Sequence, residues 1–200
     1  MSKFLKKTNY ASRYKKFGVH PKALGWHSKR AAYQRYEEIV TELIFAKKSV
    51  LDVGCGFGDI IPFIRKKTEN FEYTGVDIVP EFIKEAGKLY PKYRFLVRDY
   101  FRNPIEKEYD ILIANGSLNS NVQRNLQFRK MAIKTMFGHA KEALFFNMAG
   151  KYPQPKTTKR SNIWFADPLE ILKFCLTLNP MITFINHPRR REFTIILYKR

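Results

Sequence analysis

One heptapeptide, Asp52-Val53-Gly54-Cys55-Gly56-Phe57-Gly58, constrains this chain more than any other part of it. It continues an apolar run, VLDV, and leads into DIIPFIRKK, whose apolar residues recur at helical spacing. Glycine allows a tight turn and lets a ligand approach the main chain closely. Three glycines at alternate positions between a strand and a helix suit a ligand loop, but alone they are weak evidence for one. Pro62 must then sit in the first turn of that helix, where its missing N–H costs nothing.

The rest of the pattern extends this unit. EYTGVDI, YRFLVRD, YDILIANG and EALFFNMAG read as further buried strands. PEFIKEAGKLY and a stretch from about Val122 to Phe137 read as helices between them. The alternation implies a mostly parallel sheet with right-handed crossovers. The ending differs. DPLEILKFCLTL is a helix with Asp167 as its cap, and MITFINH and EFTIILYK are strands joined by PRRR. That junction is too short for a parallel crossover, so the last two strands form an antiparallel hairpin. The expected fold is α/β: a doubly wound, mostly parallel seven-stranded sheet with an antiparallel C-terminal hairpin strand.

Successive strand ends carry polar groups. The second strand ends in Asp77, where a carboxylate meets a ribose diol. The third ends in Asp99, which can accept from an adenine amino group. The fourth ends in Asn115-Gly116-Ser117. Ligands of open α/β sheets sit beyond the carboxyl ends of the strands. The competing reading makes Asp77 and Asp99 turn caps and the glycines mere loop shapers.

VLDVGCGFGD, YTGVDI, VRDYF and YDILIANGSLN resemble the successive motifs of class I S-adenosylmethionine-dependent methyltransferases. The resemblance implies a single domain over residues 1–200. Residues 47–200 are its Rossmann-like core, and 1–46 a basic N-terminal arm and helix (about 28–45) that cap the cofactor. It implies S-adenosylmethionine as cofactor. Asp52, Gly54, Gly56 and Gly58 would hold the methionine end, Asp77 with Ile78 the ribose, and Asp99 with Tyr100 the adenine. Asn115 and Gly116 would lie beside the same crevice. HPKALGWHSKRAAYQRY, ANGSLN and EFTIILYK are similar to a less characterised subgroup. A nicotinamide dehydrogenase is the main rival on such a fold, but its loop reads G-x-G-x-x-G, and the antiparallel ending also argues against it.

Side chains for the remaining roles are few. Trp26 and Tyr36 either wall the methionine pocket or pack in the core, and Arg35 can pair with the methionine carboxylate. His20, Ser117, Asn119 and Arg190 are candidates for contact with the acceptor. Asn119 equally suits a turn. No general base is identified. The four His are scattered and no Cys-x-x-Cys exists, so no metal site is expected.

Charge bears on the acceptor. The 200-residue chain has a net charge of +19, and residues 1–36 contain ten basic residues and no acid. Further cations follow the fifth strand, Lys156 and Lys159 among them, and Arg189-Arg190-Arg191 fills the hairpin turn. An anionic partner is expected. Three readings stand: a methyltransferase acting on an anionic small molecule, one acting on RNA, and a non-catalytic S-adenosylmethionine-binding scaffold or sensor. Asn/Asp-Pro-Pro-aromatic is missing after the fourth strand, and neither Cys55 nor Cys175 is placed as a nucleophile. These absences disfavour amino-nitrogen and cytosine-carbon methylation of nucleic acid. No apolar run approaches a membrane span, the N-terminus lacks signal-peptide character, and two cysteines make no disulfide framework. A cytoplasmic protein without membrane contact is expected; the oligomeric state is open.

Overall fold

The computed structural model describes residues 7–153 and 162–199. They pack as two compact units, one from residue 7 to Asn103 and the other from Pro104 to residue 199. Seven strands form one sheet in the order β3-β2-β1-β4-β5-β7-β6.

The first unit begins with α1 (Lys7–Phe17) and α2 (Lys29–Glu42). The sequence pattern indicates α2 but not α1, which carries few apolar residues. Ser28 caps α2 by accepting from the Ala31 N–H at 3.1 Å. Next come β1 (Lys48–Val53), α3 (Ile61–Arg65), β2 (Phe71–Asp77), α4 (Pro80–Leu89) and β3 (Arg94–Val97). β1–β2 and β2–β3 are parallel, with Asp52 opposite Gly75 and Asp77 opposite Val97. α3 is a short helix with Pro62 in its first turn, as its chemistry requires.

Aromatic packing explains why α1 forms at all. Tyr14 and Tyr10 lie edge-on to Phe82 at 6.2 Å, and Tyr14 also meets Phe57 at 6.1 Å. The Tyr14 hydroxyl donates to Glu85 of α4. Ala23, Phe57, Val79 and Phe82 are buried together, with Leu24 and Ile78 packed against them. The N-terminal segment is thus seated on the glycine loop and on the start of α4. Tertiary contact supplies the helix that local propensity does not.

The second unit contains β4 (Tyr109–Asn115), α5 (Asn125–His139), β5 (Ala140–Ala149), α6 (Pro168–Leu178), β6 (Ile182–His187) and β7 (Glu192–Tyr198). β4 and β5 are parallel; β7 runs antiparallel to both β5 and β6. The hairpin expectation holds, and β7 lies between its neighbours. Glu192 pairs with Ala149 on one side and His187 on the other. The Arg189–Arg191 turn therefore stands beside the carboxyl end of β5. α5 starts three residues later than its apolar pattern suggests, after Arg124 in a left-handed conformation (φ 52°).

Phe57 is fully buried and joins the glycine loop to α4 and α1. Phe57→Ala should lower the unfolding free energy by about 3–5 kcal/mol, as for other buried Phe truncations. Urea denaturation checks this; a loss below about 1 kcal/mol would mean the cluster is not part of the core.

Candidate active site

In the first unit the site is built around one carboxylate. Asp77 Oδ2 accepts from the Gly56 N–H at 3.0 Å, and Oδ1 accepts from the Val79 N–H at 2.9 Å. Asp77 thereby fixes both the glycine loop and the entry to α4. A carboxylate offers about four lone-pair directions, so acceptor capacity remains for hydroxyls brought to its half-buried face. Asp77 is thus a turn cap, as the competing reading held.

The loop needs its glycines. Gly54, Gly56 and Gly58 have φ of 81°, 57° and 76°, a region side chains disfavour. A Cβ at Gly56 would lie 2.8 Å from Leu24 Cδ2, so the N-terminal segment closes directly on the loop. Gly54 is exposed and its main chain is open to a ligand, while its N–H donates to Val76 O at 2.8 Å.

Asp52 lies beneath the loop, 5% exposed, and accepts from the Tyr73 hydroxyl at 2.7 Å. Burial pushes its carboxyl up to about 7; the Tyr73 bond opposes this, and the Asp77 and Asp59 charges add to it. Burial likewise lifts Asp59 to about 6 and raises Asp77. Asp59 Oδ2 is enclosed without a hydrogen-bond partner. Three carboxyls thus surround one loop and suit a ligand with a positive end.

The other expected residues of this unit are placed as follows. The Trp26 ring lies under the Arg35 guanidinium at 4.7 Å, and the indole N–H donates to Tyr36, which is buried. Arg35 also donates to Ala31 O. Ile78 is half-buried against the aromatic cluster. Asp99 pairs with exposed Arg102 at 3.4 Å, and Tyr100 is buried edge-on to Phe101. His20 accepts from the Lys22 N–H at 3.1 Å.

In the second unit the strand ends are tied by Asn147, which is 3% exposed on β5. Its Nδ2 donates to Asn115 Oδ1 and its Oδ1 accepts from the Gly116 N–H, both at 2.7 Å. Asn119 Oδ1 accepts from the Ala149 N–H at 2.7 Å, so that side chain serves the loop. Ser117 Oγ is buried and has no hydrogen-bond partner. Arg190 pairs with Glu192 at 3.0 Å, Arg191 lies over Phe165 at 4.9 Å, and Arg189 is exposed. Lys156 and Lys159 fall outside the described residues. Among the described residues no cluster of His, Cys, Asp or Glu suits a metal, and no helix is long and apolar enough to cross a membrane.

Sequence reasoning missed Asn147, Tyr73 and Leu24. Asn147 had a signal: a lone amide inside the apolar run ALFFNMA. Tyr73 and Leu24 are ordinary apolar-pattern residues whose roles come from register and chain path.

The electrostatics predict a pH dependence. If the ammonium group of S-adenosylhomocysteine is met by ionised Asp52, binding below pH about 7 must first remove a proton. Affinity should therefore rise between about pH 6 and pH 8, with proton release on binding. Asp52→Asn should abolish the slope. It should also stabilise the unliganded protein more at pH 8 than at pH 5, because a folded pKa above the unfolded one makes ionisation oppose folding. Calorimetry in buffers of different ionisation enthalpy measures both; a flat wild-type profile would remove Asp52 from the ammonium contact.

Residues 50–141 match the methyltransferase domain family. The provisionally named methyltransferase 235L of Invertebrate iridescent virus 6 is 32% identical over 89 residues, covering 44% of this chain and 34% of that protein. Malonyl-[acyl-carrier protein] O-methyltransferase of Priestia megaterium is 24% identical over 153 residues, covering 71% of this chain and 56% of that one. The chain thus spans about a third and just over half of these relatives' lengths. Magnesium protoporphyrin IX methyltransferase of Synechocystis PCC 6803, solved with S-adenosylmethionine bound, superposes with a TM-score of 0.63 at 14% identity, over 86% of this chain and 79% of that one. With the glycine loop, the strand-end acids and the antiparallel β7 in place, the chain has the fold of the class I S-adenosylmethionine-dependent methyltransferases, and its residues 50–141 match the methyltransferase domain family.

Proposed function

We propose that this protein transfers the methyl group of S-adenosylmethionine to an anionic small-molecule acceptor in a reducing, cytoplasmic compartment. The observation that carries the cofactor part is the Asp77 clamp on a positive-φ glycine loop, with buried acids beneath it. Bound there, the cofactor supplies an activated methyl on a sulfonium. Asp77 would orient the ribose, the Gly54–Gly58 main chain would carry the methionine end, and Asp52 would balance its ammonium. Asp99 would take the adenine amino donor. The chain's remaining task is to point an acceptor lone pair at the methyl carbon and to exclude water.

The anionic acceptor is supported by the second unit. Arg189 and Lys151 are exposed at the β6–β7 turn and the carboxyl end of β5, and Gly150 N–H donates to Arg191 O at 3.0 Å. The relative named for malonyl-[acyl-carrier protein] would act on an acyl group that bears a carboxylate. Buried, unpaired Cys55 and Cys175 fit a reducing compartment.

A second reading, RNA as acceptor, rests on a separate feature of the first unit. Lys15, Lys16, Lys22, Lys29 and Arg30 are exposed, and the Lys16 and Lys22 ammonium groups lie 5.3 and 5.9 Å from the exposed Phe17 ring. Cations around an accessible aromatic suit single-stranded nucleic acid.

The test is labelled-methyl transfer from S-adenosylmethionine into cell extract, followed by nuclease, protease and small-molecule fractionation. Label is expected in the small anionic fraction. Asp77→Ala should weaken cofactor binding by about 1.5–3 kcal/mol, the worth of hydrogen bonds to a charged group. Label in the nuclease-sensitive fraction, with affinity falling by about 0.7 log units per log unit of salt for each phosphate contact, would favour RNA. Cofactor binding without turnover would leave a scaffold or sensor.

A further inference from the structure

The loop that leaves β4 is held from below by a buried cation. Arg129 of α5 has no solvent exposure. Its Nε–H donates to Leu118 O at 2.8 Å, one terminal nitrogen donates to Ser120 O, and the other donates to Asn125 Oδ1 at 3.2 Å. The guanidinium carbon lies 5.1 Å from the ring centres of both Phe128 and Trp164. These contacts contain carbonyl oxygens and aromatic faces and no carboxylate. Burial lowers the guanidinium pKa to about 10, so the side chain stays charged at neutral pH.

A buried charge is a costly way to fill space, and an aliphatic side chain packs more cheaply. The planar fork does what an aliphatic cannot: it reaches two carbonyls of one loop while stacking on rings. The segments it joins are themselves stitched together. Trp164 N–H donates to Asn119 O at 2.9 Å, Asn121 N–H donates to Asn162 O at 3.0 Å, and Ser120 bridges Ile163 antiparallel. Asn125, the partner of Arg129, accepts from the Val122 N–H at 2.9 Å and donates to Asn121 Oδ1 at 2.8 Å. Arg129 thus sits where the β4 exit loop, the segment before α6 and the first turn of α5 converge.

We propose that Arg129 is a positioning residue for methyl transfer: its guanidinium clamps the loop bearing Asn115–Asn119 to the Trp164 segment and so fixes the acceptor side. This rests on the methyl-transfer reading above. Arg129 touches neither ligand; it acts by holding Leu118 and Ser120 in place. Displacing such a loop by about 1 Å costs on the order of a hundredfold in rate when the loop orients a reactant.

Arg129→Met and Arg129→Lys test this in the full chain with three readouts. The first is the dissociation constant for S-adenosylhomocysteine, whose expected contacts lie mainly in the first unit; it should stay within about twofold of wild type. The second is hydrogen exchange: the Trp164 and Asn121 amides should exchange at least about tenfold faster, while β1–β3 amides are unchanged. The third is the initial rate of label transfer into the extract fraction that accepts methyl from the wild type; it should fall at least about tenfold. Lys keeps the charge but loses the fork, so Arg129→Lys should behave like Arg129→Met. It also serves as the folded variant if Met at this site prevents folding. Wild-type transfer rates in either folded variant, or unchanged Trp164 and Asn121 protection, would overturn the proposal. No transfer by the wild type would overturn the methyl-transfer reading and the catalytic role with it. Accelerated Trp164 exchange in that case would still locate the clamp, which distinguishes the two failures.

Discussion

The Asp77 carboxylate holds two backbone turns at once, and the first unit is arranged around that double bond. One oxygen takes the Gly56 N–H of the loop after β1; the other takes the Val79 N–H that opens α4. Remove it, and a loop with three glycines at positive φ loses the carboxylate that ties its Gly56 amide to the start of α4. Both turns also border the aromatic cluster of Phe57, Val79 and Phe82, on which α1 is seated. A polar clamp and an apolar core therefore fix the same short stretch of chain from opposite sides.

That arrangement has an electrostatic cost. Asp52, Asp59 and Asp77 are all raised by burial, and Asp52 titrates near neutrality with a single hydroxyl as its described partner. Buried acids clustered like this oppose folding when ionised. Under the proposed function, a cationic ligand end would offset the repulsion. The second unit uses buried polarity differently. Asn147 and Arg129 spend their hydrogen bonds on loop carbonyls and amides, so their polarity serves to hold the β4 exit in shape.

Much of this was legible from residues alone. Strand runs, the glycine spacing and a four-residue PRRR junction dictate the sheet and its antiparallel end, because periodicity and connection length leave few topologies. Asp77 stood out because it ends a strand opposite a glycine loop. What stayed hidden depends on long-range contact. α1 has a basic, weakly patterned sequence, and its tyrosines become partly buried only against a cluster that includes Phe57 and Phe82, far along the chain. Leu24 over Gly56 follows from the path of the chain. Arg129 reads in sequence as one more cation among 37 Lys and Arg, and its burial appears only when Leu118, Ser120 and Trp164 are brought round it.

The most direct test of the account is a crystal structure of the protein grown with S-adenosylhomocysteine. The ligand should lie at the carboxyl ends of β1 and β2, with both ribose hydroxyls on Asp77, its amino-acid end along Gly54–Gly58 and its adenine toward Asp99. Asp77 should keep its bonds to the Gly56 and Val79 amides, using its remaining lone pairs for the ribose. A ligand bound elsewhere, or one that reaches the loop without touching Asp77, would contradict the central claim.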